Sequence, residues 1–186
     1  MSIKKIICLL LLSVVLFSLA SCGGKPEKDE ALDIANDLIL RAYILNIACY
    51  GEGLEYNDDG NPSTVYSNVS SNAPFQTKPE MEKEIDSVFT KDLAETMKEI
   101  AFVGQSGLIS STMNYARYLY YSDEEFLKVY ENIEGFEIRE PDIEKTEITK
   151  VKSKKILGKI TYKNGEIEQF ILKKENGTWK LDTTTY

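Results

Sequence analysis

The spacing of apolar residues divides the chain into a helical first part and a strand-forming second part. Apolar positions three or four residues apart predict a first helix, which Gly51-Glu52-Gly53 ends; these positions are Ala31, Ile34, Ala35, Leu38, Ala42 and Leu45. A second helical region begins at Thr77-Lys78-Pro79-Glu80, which has the spacing of a capping box with proline in the first turn. Thr90-Lys91-Asp92 can cap a further helix, so we expect a kink near residue 90.

A third helix is predicted after Ser122, which has the position of an N-cap with Glu125 completing a capping box. Gly135 would supply the left-handed residue that ends this helix. Its buried stripe would contain Phe126, Leu127, Val129, Tyr130 and Ile133. The preceding stretch, from Phe102 to Tyr121, fits either a helix or a strand.

From about Ile143 the pattern predicts strands, with hairpin turns at Asn164-Gly165 and Asn176-Gly177. If both turns contain two residues, Tyr162 faces Ile167, and one face of the sheet carries Leu157, Leu172 and Leu181. The opposite face then carries Ile156, Ile160, Ile167 and Ile171. A longer, bulged loop at the second turn would shift this register. Apolar residues on both faces indicate a curved sheet, a covering element or a partner, because antiparallel sheets usually bury one face.

This order of elements predicts an α+β fold, with N-terminal helices followed by a C-terminal curved antiparallel β-meander. Residues 51–76 are rich in Gly, Asn, Ser, Asp and Pro, and such long loops are often functional. A short strand around Thr64-Val65-Tyr66 can interrupt the loop. Asn57-Asp58-Asp59-Gly60 lacks the ligand spacing of an EF-hand, so we interpret it as a turn and predict no metal site.

The N-terminus has the pattern of a lipoprotein signal peptide. Lys4 and Lys5 precede the apolar run from Ile6 to Ala20, and Leu19-Ala20-Ser21-Cys22 matches a lipobox. The run is too short for a membrane-spanning helix. We therefore predict cleavage after residue 21, lipidation of Cys22 and attachment to the extracytoplasmic face of the cell membrane. The predicted divisions are a signal peptide (1–21), a lipidated tether (22–30) and one domain (31–186), helical over about 31–135 and β over about 136–186.

Charge and composition exclude several classes of function. The chain has a net charge of −8 and no histidine. Residues 26–140 carry a net −14 and residues 141–186 a net +3, which argues against a nucleic-acid-binding protein. The lack of histidine excludes Ser-His-Asp and Cys-His catalysis, and no phosphate loop or nucleophile elbow is present. We therefore predict a non-enzymatic protein without cofactors, and Cys49, the last free cysteine, as a small buried apolar residue.

Eleven tyrosines in one small domain suggest a recognition surface, since tyrosine combines apolar area with a polar tip. The alternative is that several of them are core residues. The candidate binding residues, from the loop and from the tyrosine-rich stretch, are Tyr56, Asp58, Asp59, Tyr66, Tyr115 and Tyr118. Lysines 150, 152, 154 and 155 can meet an anionic polymer or membrane headgroups, or can protect an exposed strand edge. The oligomeric state is left open by the sequence.

Five parts of the chain together match the pattern of a known family: Ala31-Leu32-Asp33-Ile34, the glycine- and asparagine-rich loop, Phe75 to Met81, Val88-Phe89-Thr90-Lys91, and the ending from Lys174 to Asp182. In these parts the chain resembles the IseA family, extracytoplasmic inhibitors of the D,L-endopeptidases that cleave bacterial cell walls. The resemblance implies a protein that blocks the cleft of a cell-wall hydrolase. The ending is also similar to NTF2-like and cystatin-like lipoproteins, which implies as an alternative the binding of a small ligand or of another envelope protein.

Overall fold

The computed structural model describes residues 25–57, 65–103, 116–120, 126–131 and 135–185, and it confirms the α+β fold. The helices of these residues are α1 (Lys28–Cys49), α2 (Lys78–Val88) and α3 (Lys91–Phe102), with a 3₁₀ turn at Ile143–Lys145. A small antiparallel sheet has the order β1-β3-β2 and contains β1 (Tyr66–Asn68), β2 (Tyr118–Leu119) and β3 (Lys128–Tyr130). A larger antiparallel sheet has the order β4-β5-β6-β7 and contains β4 (Glu147–Lys152), β5 (Lys155–Thr161), β6 (Ile167–Glu175) and β7 (Thr178–Leu181).

The three helices follow the local patterns of the sequence. Helix α1 begins at Lys28, three residues before the predicted start, and buries the predicted stripe from Ala31 to Leu45 except for Ile34, which is half-buried. Helix α2 has the predicted capping box: Thr77 Oγ1 accepts from the Glu80 N–H, and the Glu80 carboxylate accepts from the Thr77 N–H at 3.0 Å. Helix α3 starts after Thr90, which confirms the break near residue 90.

The predicted third helix is wrong, because residues 128–130 form the central strand of the small sheet. Val129 pairs with Ser67 on one side and with Tyr118 on the other. Ser122 and Glu125 lie outside the described residues. Gly135 does not have the positive φ that is typical of a helix end. Its backbone lies close to Gly51, so that a Cβ on residue 135 would be 1.9 Å from the Gly51 carbonyl oxygen. Strands therefore also occur before residue 136, and the predicted boundary between a helical and a β part does not hold.

The hairpin between β5 and β6, the first of the two predicted ones, differs from the prediction by one residue. Tyr162 faces Glu166 across a three-residue loop, in which Gly165 has φ +90° and the Asn164 side chain accepts from the Glu166 N–H. The second turn is a two-residue turn as predicted, since Asn176 and Gly177 both have positive φ and Leu172 pairs with Leu181.

The shifted register changes which residues of the sheet are buried. The inner face carries Ile148, Ile156, Ile160, Phe170, Leu172 and Leu181, all within the core. Leu157 and Ile171 are half-buried on the outer face, and Ile167 is 63% exposed. The predicted grouping of Leu157 with Leu172, and of Ile156 and Ile160 with Ile167, is therefore wrong.

Helix α1 connects the two sheets. Its first turn lies beside the start of β4, where Leu32 adjoins Ile148, and its last turn contacts the small sheet through Tyr118. Arg41, halfway along α1, donates from Nε to Glu84 of α2 at 2.6 Å. In the described part of the chain, the helices lack the combination of length and apolar character that crossing a bilayer requires.

Candidate functional site

The outer side of the small sheet carries an aromatic face, defined here as Tyr66, Leu119, Phe126 and Tyr130. Strand alternation places Tyr66, Leu119 and Tyr130 on one side of the sheet together with Asn68 and Lys128, Phe126 lies two residues before β3, and the Tyr66 and Tyr130 rings lie 5.3 Å apart. Phe126 is 51% exposed. Three more exposed apolar residues lie at the ends of the strands or bridge to them: Tyr56, Val65 and Tyr120. Such clustering is typical of interaction surfaces, because isolated domains rarely leave large apolar patches open to water.

The inner side of the small sheet is fixed to α1 by Tyr118. Its side chain is 1% exposed, and its hydroxyl donates to the Ala48 carbonyl at 2.8 Å and accepts from the Leu54 N–H at 3.0 Å. Burial raises the pKa of this phenol well above its ordinary value. Tyr118 is therefore a core residue, and its inclusion among the candidate binding residues is corrected: the alternative of a buried tyrosine holds here.

Arg117 holds the end of α1 next to Tyr118. Its guanidinium is almost fully buried and donates to the Gly51 carbonyl at 2.7 Å and to the Tyr50 carbonyl at 3.1 Å. Desolvation by burial lowers the pKa of Arg117. A cation at a helix C-terminus interacts favourably with the carbonyl end of the helix dipole. Arg117 and Tyr118 together position the 51–57 segment, which contains Tyr56.

The other candidate binding residues have different environments. Tyr56 is 38% exposed and bridges to Val69, just after β1. Tyr66 is half-buried and donates its hydroxyl to the Ala116 carbonyl at 2.8 Å. These two tyrosines therefore lie on or beside the small sheet. Asp58, Asp59, Tyr115 and Cys22 lie outside the described residues.

Sequence reasoning missed Phe126 and Tyr130 as candidate surface residues, because it assigned both to the buried stripe of a helix. The sequence of residues 126–130, Phe-Leu-Lys-Val-Tyr, does not alternate apolar and polar residues, and only the structure shows alternating burial: Leu127 and Val129 are buried, and their neighbours are not. This period of two is typical of a half-buried strand.

The larger sheet carries a lysine face on its outer side, defined here as Lys150, Lys152, Lys155 and Lys159. Lys150 pairs with Leu157, and Lys152 with Lys155, so the four lysines share one side of β4 and β5. Of the four predicted lysines, Lys154 lies in the turn between these strands. Glu147, opposite Lys159, is the acidic residue of this part of the sheet.

A cluster of charged residues lies at the hairpin between β5 and β6. Arg139 donates to Glu166 at 2.8 Å and to Glu168 at 2.7 Å, and its guanidinium lies 4.2 Å from the centre of the Tyr162 ring. The Tyr162 hydroxyl also donates to Glu168 at 2.9 Å. Every charged group in this cluster has a partner, which is the arrangement of a structural ion-pair network.

Nucleophilic and metal chemistry find little support among the described residues. Burial raises the pKa of the Cys49 thiol to about 12, so this cysteine carries almost no thiolate at neutral pH. Within the part of the chain that the structure describes, no three Cys, Asp or Glu side chains come together to hold a metal ion.

Comparison with known proteins returns no family model that matches the chain, and no curated protein matches it. The resemblance to the IseA family stays a prediction from the sequence.

Proposed function

We propose that the chain is an extracytoplasmic lipoprotein whose folded domain binds another protein of the cell envelope without catalysing a reaction. The aromatic face is the observation that carries this proposal. It lies on a sheet whose opposite side is fixed by the hydrogen bonds of Tyr118, so binding requires little ordering of the surface. Tyrosine and phenylalanine supply large contact area at low cost in side-chain entropy.

The anchoring part of the proposal rests on the lipobox that ends at Cys22. Helix α1 begins at Lys28, six residues later. A fully extended segment of this length spans about 20 Å. A lipid on Cys22 would therefore keep the domain close to the membrane, where cell-wall enzymes and other envelope proteins work.

The partner class that we propose is a peptidoglycan D,L-endopeptidase, as the resemblance to the IseA family implies. Inhibition requires a surface that fills a cleft, and exposed aromatic side chains next to the 51–57 segment suit that task. The chain has no histidine and its Cys49 thiol is buried, which favours binding over hydrolysis.

The packing of the larger sheet favours this proposal over the binding of a small apolar ligand. A ligand cavity would need space beside Ile160, Tyr162 and Phe170, which are all buried. The Phe170 ring lies against the backbone of Gly158, where a Cβ would be only 2.3 Å from the Phe170 Cζ. Side chains thus fill the face on which the ligand-binding alternative depends.

The test is cleavage of cell walls by purified D,L-endopeptidases in the presence of the chain from Gly23 onward, which contains every described residue. We expect inhibition that Phe126→Ser weakens about tenfold or more, as for a central contact residue. Ile167→Ser is the control, because Ile167 is also an exposed apolar residue, 63% against 51% for Phe126, but lies on the larger sheet. Unchanged cleavage at high micromolar excess over several such enzymes would reject the inhibitor hypothesis. Inhibition that only the control variant weakens would reject the aromatic face.

The lipid anchor is tested separately in cells. The mass of the N-terminal peptide should show a diacylglyceryl group on Cys22, and Cys22→Ala should remove the protein from the membrane fraction. A full-length, unmodified N-terminus would contradict the anchoring proposal and leave the binding result unaffected.

A further inference from the structure

The lysine face is unusual in a chain with a net charge of −8. Its four lysines come from two adjacent strands, while the helices on the other side of the fold have a net negative charge. Helix α1 carries four acidic residues and two basic ones, Lys28 and Arg41, and helix α2 carries four acidic residues and two basic ones, Lys78 and Lys83. The domain therefore has a positive side and a negative side, and it would orient itself near a charged surface.

The four lysines are available for an external partner. Lys150, Lys152 and Lys159 are exposed, and Lys155 is half-buried. None of the four forms an ion pair with another described residue. By contrast, Lys173, farther along the same side, pairs with Asp182 at 2.6 Å.

Protection of an exposed strand edge explains only half of this face. Strand β4 is at the edge of the sheet, where lysine prevents pairing with another chain. Lys155 and Lys159 lie on β5, which is paired on both sides by β4 and β6. Edge protection therefore does not account for these two lysines.

The start of α1 lies beside the edge strand that carries part of the lysine face. Lys28 and Asp29, at the start of α1, line a groove with Thr146, Glu147 and Ile148, at the start of β4. The chain thus enters the domain beside the edge strand that carries Lys150 and Lys152. This strand has six residues and spans about 17 Å. A tether of about 20 Å is longer than the strand, so the tether can pass around the edge of the sheet to its outer side.

We propose that the lysine face rests on anionic phospholipid headgroups of the leaflet that holds the lipid anchor. Leu157, half-buried between the lysines, would face the same surface. In this orientation the larger sheet lies between the membrane and most acidic residues of the helices, which reduces their repulsion from the anionic surface. The proposal depends on the anchoring part of the proposed function, and it adds an orientation that the anchor alone does not supply.

The experiment is lysine footprinting of the full lipidated protein in vesicles. The protein is reconstituted into neutral phosphatidylcholine vesicles or into vesicles with a third of anionic phosphatidylglycerol, and a water-soluble acylating reagent modifies the accessible lysines. We expect the lysine face to react at least fivefold more slowly on the anionic vesicles, since each lysine near such a surface contributes about fivefold to binding. Lys83 and Lys91, exposed on α2 and α3, are the internal controls and should react equally on both. The protection should disappear at 0.5 M salt.

Variants separate the outcomes. Replacing the four lysines by glutamine should abolish the salt-sensitive difference at Lys154, in the adjoining turn, whereas Lys83→Gln with Lys91→Gln should retain it.

Equal reactivity of the lysine face on both vesicles would overturn the proposal. Protection by a soluble polyglycerol phosphate but not by anionic vesicles would also overturn it and assign the face to a wall polymer. If protection of the lysine face depends only on the number of protein molecules per vesicle, the face would be assigned to self-association. The mass of the N-terminal peptide reports lipidation independently, so failure of the anchor and failure of the lysine face are distinguishable.

Discussion

Arg117 gives the most direct test of how the small sheet is joined to α1. Its guanidinium donates to two carbonyls at the end of the helix, those of Gly51 and Tyr50. Replacement by methionine keeps an unbranched apolar side chain but removes every donor. The Tyr50 carbonyl keeps its bond from the Phe136 N–H at 2.8 Å, so the Gly51 carbonyl is the group that loses its partner.

The expected cost follows from these contacts. A buried carbonyl without a partner costs about 1–3 kcal/mol. A cation at a helix C-terminus contributes up to about 2 kcal/mol in a partly buried geometry. The substitution also removes a buried charge whose Nε has no partner among the described residues, which offsets part of the loss. We therefore expect Arg117→Met to destabilise the domain by about 2 kcal/mol, or about 4–8 °C in Tm.

The assay is unfolding of the chain from Gly23 onward, followed both by helical circular dichroism and by the fluorescence of Trp179 on β7. Coincident transitions indicate two-state unfolding, which a free-energy comparison requires. Arg117→Lys is the matched control, because lysine keeps the positive charge and one donating group. The stability of this variant should lie between that of the original chain and that of the methionine variant. A methionine variant as stable as the original chain, or more stable, would refute the reasoning, because it would mean that desolvation outweighs the two hydrogen bonds.

Three further predictions concern the larger sheet and the core thiol. Gly158→Ala should destabilise the domain by about 1–3 kcal/mol, measured by urea unfolding, because the new Cβ would overlap the Phe170 ring; an unchanged midpoint would contradict that packing. The hydrogen bond from Arg139 lowers the pKa of Glu166, so its contribution to stability is present above the unfolded pKa of about 4.3 and is lost as the pH falls through the lower folded pKa. Glu166→Gln should therefore lose less stability than the original chain between pH 5 and pH 3, and an equal loss would reject this linkage. Cys49, with its raised pKa, should react with a thiol reagent at pH 8 only as fast as the domain unfolds, whereas rapid labelling of the native protein would show that the thiol is accessible.

Several elements follow from the sequence because a few neighbouring residues specify them. The capping box of Thr77 and Glu80 closes within one helical turn, and the apolar spacing of α1 predicts both its extent and its buried stripe. Asn176-Gly177 forms a two-residue turn because both residues tolerate positive φ. In each case the interacting groups lie within a few positions of one another, so local physical chemistry decides the outcome.

Residues 128–130 show where local patterns fail. Their sequence is compatible with a short amphipathic helix, but they pair with strands at residues 66–68 and 118–119. Short helices are marginal without tertiary packing, so these distant partners override the local preference. The aromatic face follows from that pairing, and no spacing within residues 128–130 could have revealed it.

The sequence by itself determined helices α1, α2 and α3, the turn at Asn176-Gly177 and the residue types that exclude histidine-dependent chemistry, but it also predicted a helix over residues that form β3. Only the tertiary structure decided which side each strand residue faces. A one-residue difference at the Asn164 loop places Ile156 and Ile160 in the core and leaves Leu157 among the lysines. Because side chains alternate along a strand, register assigns both the core and the surface at once, and register is set by contacts between residues far apart in the chain.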